Sequence, residues 1–293
     1  MTIGIIGTGA VGTAFAVLLT RAGYTIAAAS DRNPEKAHTL KNLLSNFGGV
    51  YDNGTTIDKA DVTFFCLADD LLSDEIKKCA AGQSSFEGKV FFHTSGTLSS
   101  DLFEPMRKKG AQAASFHPLQ SIPANAGQLS LENFGIAIEG DKPAVDLAVA
   151  LAEKLGAKPL FIQPEQKTLY HTTATLASNG LIGLSGVVEE MIEAVGLEEE
   201  GREYFYRLME QSLENSRTMT APEAITGPAA RGDLATLKQH LQTIRQQSPH
   251  IVPIYVVVGS HCVSLAVQSG KLPKERGEEI LNLFSNELQS LTM

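Results

Sequence analysis

The sequence predicts an α/β fold in its first half, a doubly wound and mainly parallel sheet, followed by an all-helical domain. Three observations predict it. Glycines at positions 7, 9 and 12 stand between a short apolar run and a helical pattern. Further apolar runs then alternate with helical patterns as far as Pro164. Beyond Pro164 the strand pattern stops and helical periodicity takes over.

The first strand is carried by Ile3, Ile5 and Ile6, and the helix after it runs from about Ala14 to Ala22, closed by Gly23. Between them, each glycine has its own task. Gly7 permits the tight turn, Gly9 lets the backbone approach a pyrophosphate, and Gly12 lets helix and strand pack closely. Thr8, Ala10 and Val11 complete this loop, and the N-terminus of the helix faces the negative charge. The second strand, "YTIAAAS", ends at Asp31, nineteen residues after Gly12. Strand, turn, helix, strand and terminal acid in this order predict a Rossmann dinucleotide-binding domain over residues 1–164. Asp31 is suited to the adenosine ribose of NAD, and Arg32 to the 2′-phosphate of NADP. The two point in opposite directions. NADP is the preferred reading, with NAD possible.

The next strands are "DVTFFCLA" (61–68), "KVFFHTS" (89–95), "AQAASFH" (111–117), "FGIAIEG" (134–140) and "KPLFIQP" (158–164), with helices over 70–80 and 143–155 among them. Ligands of such sheets sit outside the carboxyl ends of the strands. Leu67, Ala68 and Thr94 are therefore expected to touch the cofactor. "HTSGT" and "HPLQS" bring His93, Ser95 and His117 to the same edge.

Residues 165–293 are expected to form the helical substrate and dimerisation domain. A long helix is predicted from Glu165 to Gly196, then helices near 198–219, 233–246, 252–268 and 273–290, the third opened by Asp233 as N-cap. In the long helix Leu169, Leu176, Leu181, Ile182 and Leu184 are expected to bury. His171, Thr175, Ser178 and Asn179 recur at helical steps, and this polar stripe suggests a cleft wall.

A net charge of −9 without a basic cluster argues against nucleic acid. Three cysteines in no metal-like or paired spacing favour a reducing compartment, hence a cytoplasmic protein. The apolar stretch 251–267 is broken by Pro253, Gly259, Ser260 and His261, so no membrane span is expected. The N-terminus reads at once as strand and turn, not as a signal peptide. No metal is expected, although His93, His117 and His171 were one conceivable set of ligands.

"GIIGTGAVGTAFA" with "SDRNPEKA" resembles the dinucleotide domain of pyrroline-5-carboxylate reductases, β-hydroxyacid dehydrogenases and deazaflavin-dependent NADP oxidoreductases. "HTSGTLS", "FHPLQS", "YHTTATLASN" and "ITGPAARGD" together resemble bacterial Rossmann proteins with a helical C-terminal domain of uncharacterised function. The resemblance implies a homodimer formed through the helices. β-Hydroxyacid dehydrogenases carry a lysine four residues before an asparagine. Here Asn179 matches the asparagine, but Thr175 stands at the lysine position.

The expected activity is NAD(P)-dependent reduction of a small carbonyl or imine in a cleft between the two domains. His171 is the expected proton donor, Asn179 a substrate-orienting donor, Ser95 a further polar contact and His117 the next candidate acid. A ketopantoate-reductase-like enzyme and a non-catalytic nucleotide-binding or sensing protein are the alternatives.

Overall fold

The computed structural model describes residues 1–122 and 130–290. Its strands are β1 Thr2–Ile6, β2 Thr25–Ser30, β3 Val62–Phe65, β4 Val90–His93, β5 Gln112–Leu119, β6 Gly135–Gly140 and β7 Lys158–Phe161. They form one sheet in the order β2-β1-β3-β4-β5-β6-β7. Neighbours are parallel except β5 and β6, which run antiparallel from Ala114↔Gly140 to Leu119↔Gly135. Strand order reverses between β1 and β3, since β2 and β3 flank β1 on opposite sides. That switch opens a crevice at the carboxyl ends of β1 and β3.

The double phenylalanines explain how the sheet is covered. Side chains alternate along a strand, so Phe64 and Phe92 face one side while Phe65 and Phe91 face the other. On the first side Phe64, Phe92 and Phe116 pack with Phe15 of α1 (Ala10–Arg21), ring centroids lying 5.0 to 5.6 Å apart. On the second, Phe65 and Phe91 meet Phe103 and Phe86. Helix α2 (Asp69–Gly82) contributes Leu72 and Ile76 to this second core, and α3 (Lys142–Lys154) gives Ala148 and Leu151 to the first. Each fully buried phenylalanine stabilises the fold by about 1.5–3 kcal/mol.

The predicted long helix is interrupted. α4 (Lys167–Thr175) passes into a π turn at Leu176–Gly180, and α5 (Leu181–Ala194) follows. A π turn holds more residues than an α turn, so Ser178 and Asn179 are rotated from their places on a straight helix, Ser178 half-buried and Asn179 exposed. Four of the five residues expected to bury are instead exposed on the single chain: Leu169 (75%), Leu176 (69%), Ile182 (65%) and Leu184 (38%). For Leu169 the reason is visible in α4, which turns Lys167, Tyr170 and His171 to the sheet and loop.

The chain divides into compact units at Met1–Asn179 and Gly180–Met293. The first continues past Pro164 because α4 is hydrogen-bonded into it. The second contains α5, α6 (Gly201–Thr218), α7 (Leu234–Gln247), α8 (Val252–Gln268) and α9 (Lys274–Ser290). Asp233 caps α7, its carboxylate accepting from the Thr236 amide at 3.1 Å. Leu237, Leu241, Ile244, Val256, Val263, Ile280 and Phe284 form the core of this unit. Pro249–Gln268 has the length and apolarity of a membrane span, with mean hydropathy 1.7. Its Val252, Val256, Val263 and Ala266 are buried in that core.

Candidate functional site

The glycine loop is built by close approach. Gly7 has φ of 91°, and a Cβ there would lie 2.4 Å from the Cys66 carbonyl oxygen. A Cβ on Gly12 would lie 1.9 Å from the Gly7 oxygen. These two positions admit only hydrogen. Gly9 differs, because a Cβ there would meet nothing within 4 Å. Its α-carbon faces the crevice, a cleft of about 820 Å³ lined by Gly7, Gly9, Asp31, Arg32, Leu67 and Ala68 among others. No side chain caps α1, so the backbone amides of its first turn, which includes Ala10 and Val11, are left for an anion. An open cradle at a helix N-terminus fits a dinucleotide pyrophosphate.

Asp31 is engaged by the protein itself. Its Oδ2 accepts from the Thr8 amide at 2.7 Å and the Thr8 hydroxyl at 3.0 Å, and its Oδ1 accepts from the Asn33 amide at 2.9 Å. Burial raises the Asp31 pKa, but these bonds outweigh it and hold the carboxyl below its usual range. Asp31 thus ties the glycine loop to the end of β2. Arg32 is exposed on the cleft lining.

A second cluster sits further along the same carboxyl edge. Cys66, on the cleft wall, hydrogen-bonds with Thr94, which follows β4. Burial pushes the Cys66 thiol up to about 12, which keeps it protonated at neutral pH. Past Thr94 the loop turns on Ser95, whose buried Oγ accepts from the Thr97 amide at 3.2 Å and the Leu98 amide at 3.0 Å. Gly96 then passes between two imidazoles. A Cβ on it would lie 2.8 Å from His117 Nε2 and 2.3 Å from His171 Cδ2. The two rings are 5.7 Å apart and nearly perpendicular. Each is fixed through Nδ1, His117 by the Tyr170 hydroxyl at 2.9 Å and His171 by the Thr97 hydroxyl at 3.0 Å.

Helix spacing explains the convergence. Residues three and four apart share a helix face, so Lys167, Tyr170 and His171 project together. Ser115 and His117, two apart on β5, share a face of the sheet. Lys167 meets Ser115, with Nζ donating to Oγ at 2.6 Å, and Tyr170 meets His117 one step along. Lys167 also donates to the Ser95 carbonyl at 3.1 Å and lies 3.9 Å from Glu139 Oε1. Glu139 in turn accepts from the Ser100 amide and hydroxyl, both at 2.8 Å. The pattern of residues flagged His117 and His171, but not Lys167, Tyr170 or Glu139. A single lysine at a helix start reads as a surface residue, and only its spacing to Tyr170 and His171 was available as a signal.

The predicted residues thus fall into three places. Gly7, Thr8, Gly9, Ala10, Val11, Gly12, Asp31, Arg32, Leu67 and Ala68 are brought to the crevice or its loop, with Thr94 linked through Cys66. His117, His171 and Ser95 meet around Gly96. Asn179 stands apart, exposed in the π turn and without a side-chain hydrogen bond among the described residues. His93 is wholly buried against Phe103, its Nδ1 accepting from the Ser95 amide at 3.2 Å. Among the described residues no three His, Cys, Asp or Glu side chains are grouped to hold a metal ion.

Burial and the Lys167 charge hold His93 down to about 3 and His117 down to about 4. Unfolding releases both to near 6.5. Between these values the unfolded chain binds more protons, so stability falls as pH drops from 6.5 through about 4 to 3. Thermal unfolding across that range should show the loss. It should be smaller in His93→Gln, which keeps an acceptor for the Ser95 amide but cannot titrate. An equal acid sensitivity in the variant would show that His93 is not its source.

Residues 1–118 match the model of a Rossmann-like domain, and residues 134–262 match a domain of unknown function (DUF2520). The first unit is built on a Rossmann-like domain. No curated protein matches the chain. Among solved structures, the chain is similar to a Bacteroides fragilis protein assigned as an NADP oxidoreductase, at 19% identity, covering 90% of this chain and 98% of that one with a TM-score of 0.74. It is similar to the Thermotoga maritima protein TM1727 at 23% identity, covering 91% and 98% with a TM-score of 0.67. It is also similar to a reductive aminase from Aspergillus terreus, solved with NADPH and ethyl-5-oxohexanoate, at 15% identity, covering 99% and 94% with a TM-score of 0.61.

Proposed function

We propose that the chain is an NADP-dependent oxidoreductase that reduces a small imine or carbonyl compound. The observation that carries this reading is the pairing of an open glycine cradle with two fixed imidazoles along one sheet edge. NADPH, when bound, supplies a hydride to the substrate carbon. The chain's own residues hold and protonate. The first-turn amides of α1 bind the pyrophosphate, and Arg32 meets the 2′-phosphate. His171 delivers a proton to the substrate nitrogen or oxygen, with Thr97 fixing its ring. Asn179 orients the substrate, and Ser95 shapes the loop beneath it. The similar reductive aminase, solved in complex with NADPH and ethyl-5-oxohexanoate, supports both the cofactor and the substrate class. We further read the protein as a cytoplasmic homodimer whose helical part, residues 165–293, serves substrate binding and dimerisation. The exposed Leu169, Leu176 and Ile182 support the dimer.

A panel of cyclic imines and small keto acids, followed by loss of NADPH absorbance, tests the activity. Failure of the chain to bind either nicotinamide cofactor would end this reading. Cofactor choice has its own test. Because Asp31 is held by Thr8 and Asn33, Arg32 is the group left to discriminate. Arg32→Ala should weaken NADPH by about tenfold, the scale of one charge-assisted hydrogen bond, and NADH much less. Equal weakening of both cofactors would remove Arg32 from 2′-phosphate recognition.

A further inference from the structure

Lys167 is a lysine with no exposed surface, in a chain whose other described lysines are not buried. A sealed ammonium is costly unless its donors are used. Here the Ser95 carbonyl and the Ser115 hydroxyl accept from it, and Glu139 stands at 3.9 Å. It therefore joins three elements: the loop after β4, strand β5 and helix α4. These are the same three that supply Thr97, His117 and His171. We propose that Lys167 is a positioning residue of the histidine site: its ammonium pins the loop that carries Gly96 between the two imidazoles and Thr97 to His171, and it sets a fixed positive charge on the face of β5 that Ser115 shares with His117. Its part in a reaction rests on the reductase reading above; its hold on the loop and its charge beside the histidines do not.

The groups acting on His117 can be named. From α4 come Lys167, His171 and Tyr170, and from β4 comes His93. Burial is the main cause that disfavours an imidazolium at His117, and Lys167 and His171 on α4 act in the same sense. Glu139 on β6 and Asp69 at the start of α2 act in the opposite sense, favouring the charge on Lys167. Burial nonetheless lowers the Lys167 pKa to about 8, so the ammonium is present at neutral pH. A cation that stays charged across the range where histidines titrate is what a fixed electrostatic bias requires. The Tyr170 hydroxyl offers no countercharge, since burial pushes it up to about 12.

The test is a histidine NMR titration of the full chain without cofactor or substrate. Lys167→Met keeps the stem and removes the charge. Its His117 midpoint should rise by roughly one pH unit, the scale of one nearby charge in a partly screened site. Lys167→Met leaves Glu139 without its cation and is destabilising. The double variant Lys167→Met/Glu139→Gln removes both charges and keeps one acceptor oxygen for the Ser100 amide, its NH2 group facing the Ser100 hydroxyl as a donor, and the same rise is expected in it. An unmoved His117 midpoint in a folded variant overturns the proposal, whatever reaction the protein catalyses. A risen midpoint with no reductase activity in the parent would instead reject the function and leave the electrostatic role of Lys167 in place.

Discussion

Gly9→Val is expected to abolish cofactor binding while leaving the fold of the free protein unchanged. The two halves of this outcome have separate causes. A Cβ on Gly9 meets no heavy atom within 4 Å, so the side chain adds no clash to the protein itself. The space it enters is the space needed by the pyrophosphate. Losing two or more backbone hydrogen bonds to a charged group costs about 3–6 kcal/mol, or roughly 10²- to 10⁴-fold in affinity. Calorimetric titration with NADPH measures the loss, and the melting temperature of the free protein checks the fold. Gly12→Val is the contrast. Its Cβ would lie 1.9 Å from the Gly7 oxygen, so stability itself should fall. Parent-like NADPH affinity in Gly9→Val would place the cofactor elsewhere.

His171→Ala is expected to lower turnover by about 10²-fold or more, the usual scale for loss of a general acid, with cofactor affinity nearly unchanged. The ring is fixed by Thr97 through Nδ1 and lies against Gly96, at the far end of the cluster from the glycine cradle in sequence and role. His117 is less suited to the same task. Its pKa of about 4 makes it a poor carrier of a proton at neutral pH. Steady-state kinetics on the first accepted substrate, with parallel NADPH titration, separates the two effects. Undiminished turnover would shift the acid role from His171 to another group.

The glycine loop was legible from residues alone because each requirement there is local. Turn, close packing and backbone approach all fall within six residues, and at Gly7 and Gly12 the space is hydrogen-sized. The sheet was legible for a similar reason, since Phe64-Phe65 and Phe91-Phe92 mark strands that must be covered on both faces. Asp233 was legible as a cap because a cap acts over three residues.

The histidine cluster was only half legible. Its strand-end position followed from the alternation of strands and helices, but the partner of each ring did not. Thr97 and His171 are 74 residues apart, and Lys167 and Ser95 are 72 apart. Such contacts depend on the angle and register of α4 against β5, which no local pattern encodes. The same packing decided which face of α4 turns inward. Helical periodicity placed Leu169 inside, because apolar side chains usually lose water on folding. The structure put Lys167, Tyr170 and His171 there instead, where Ser115, the Ser95 carbonyl, His117 and Thr97 satisfy their polar atoms. The glycine turn and the two-faced covering of the sheet are thus written in local residue patterns. The sealing of a lysine beneath the histidines and the binding of Asp31 to its own loop come from packing, which chooses hydrogen-bond partners far apart in the chain.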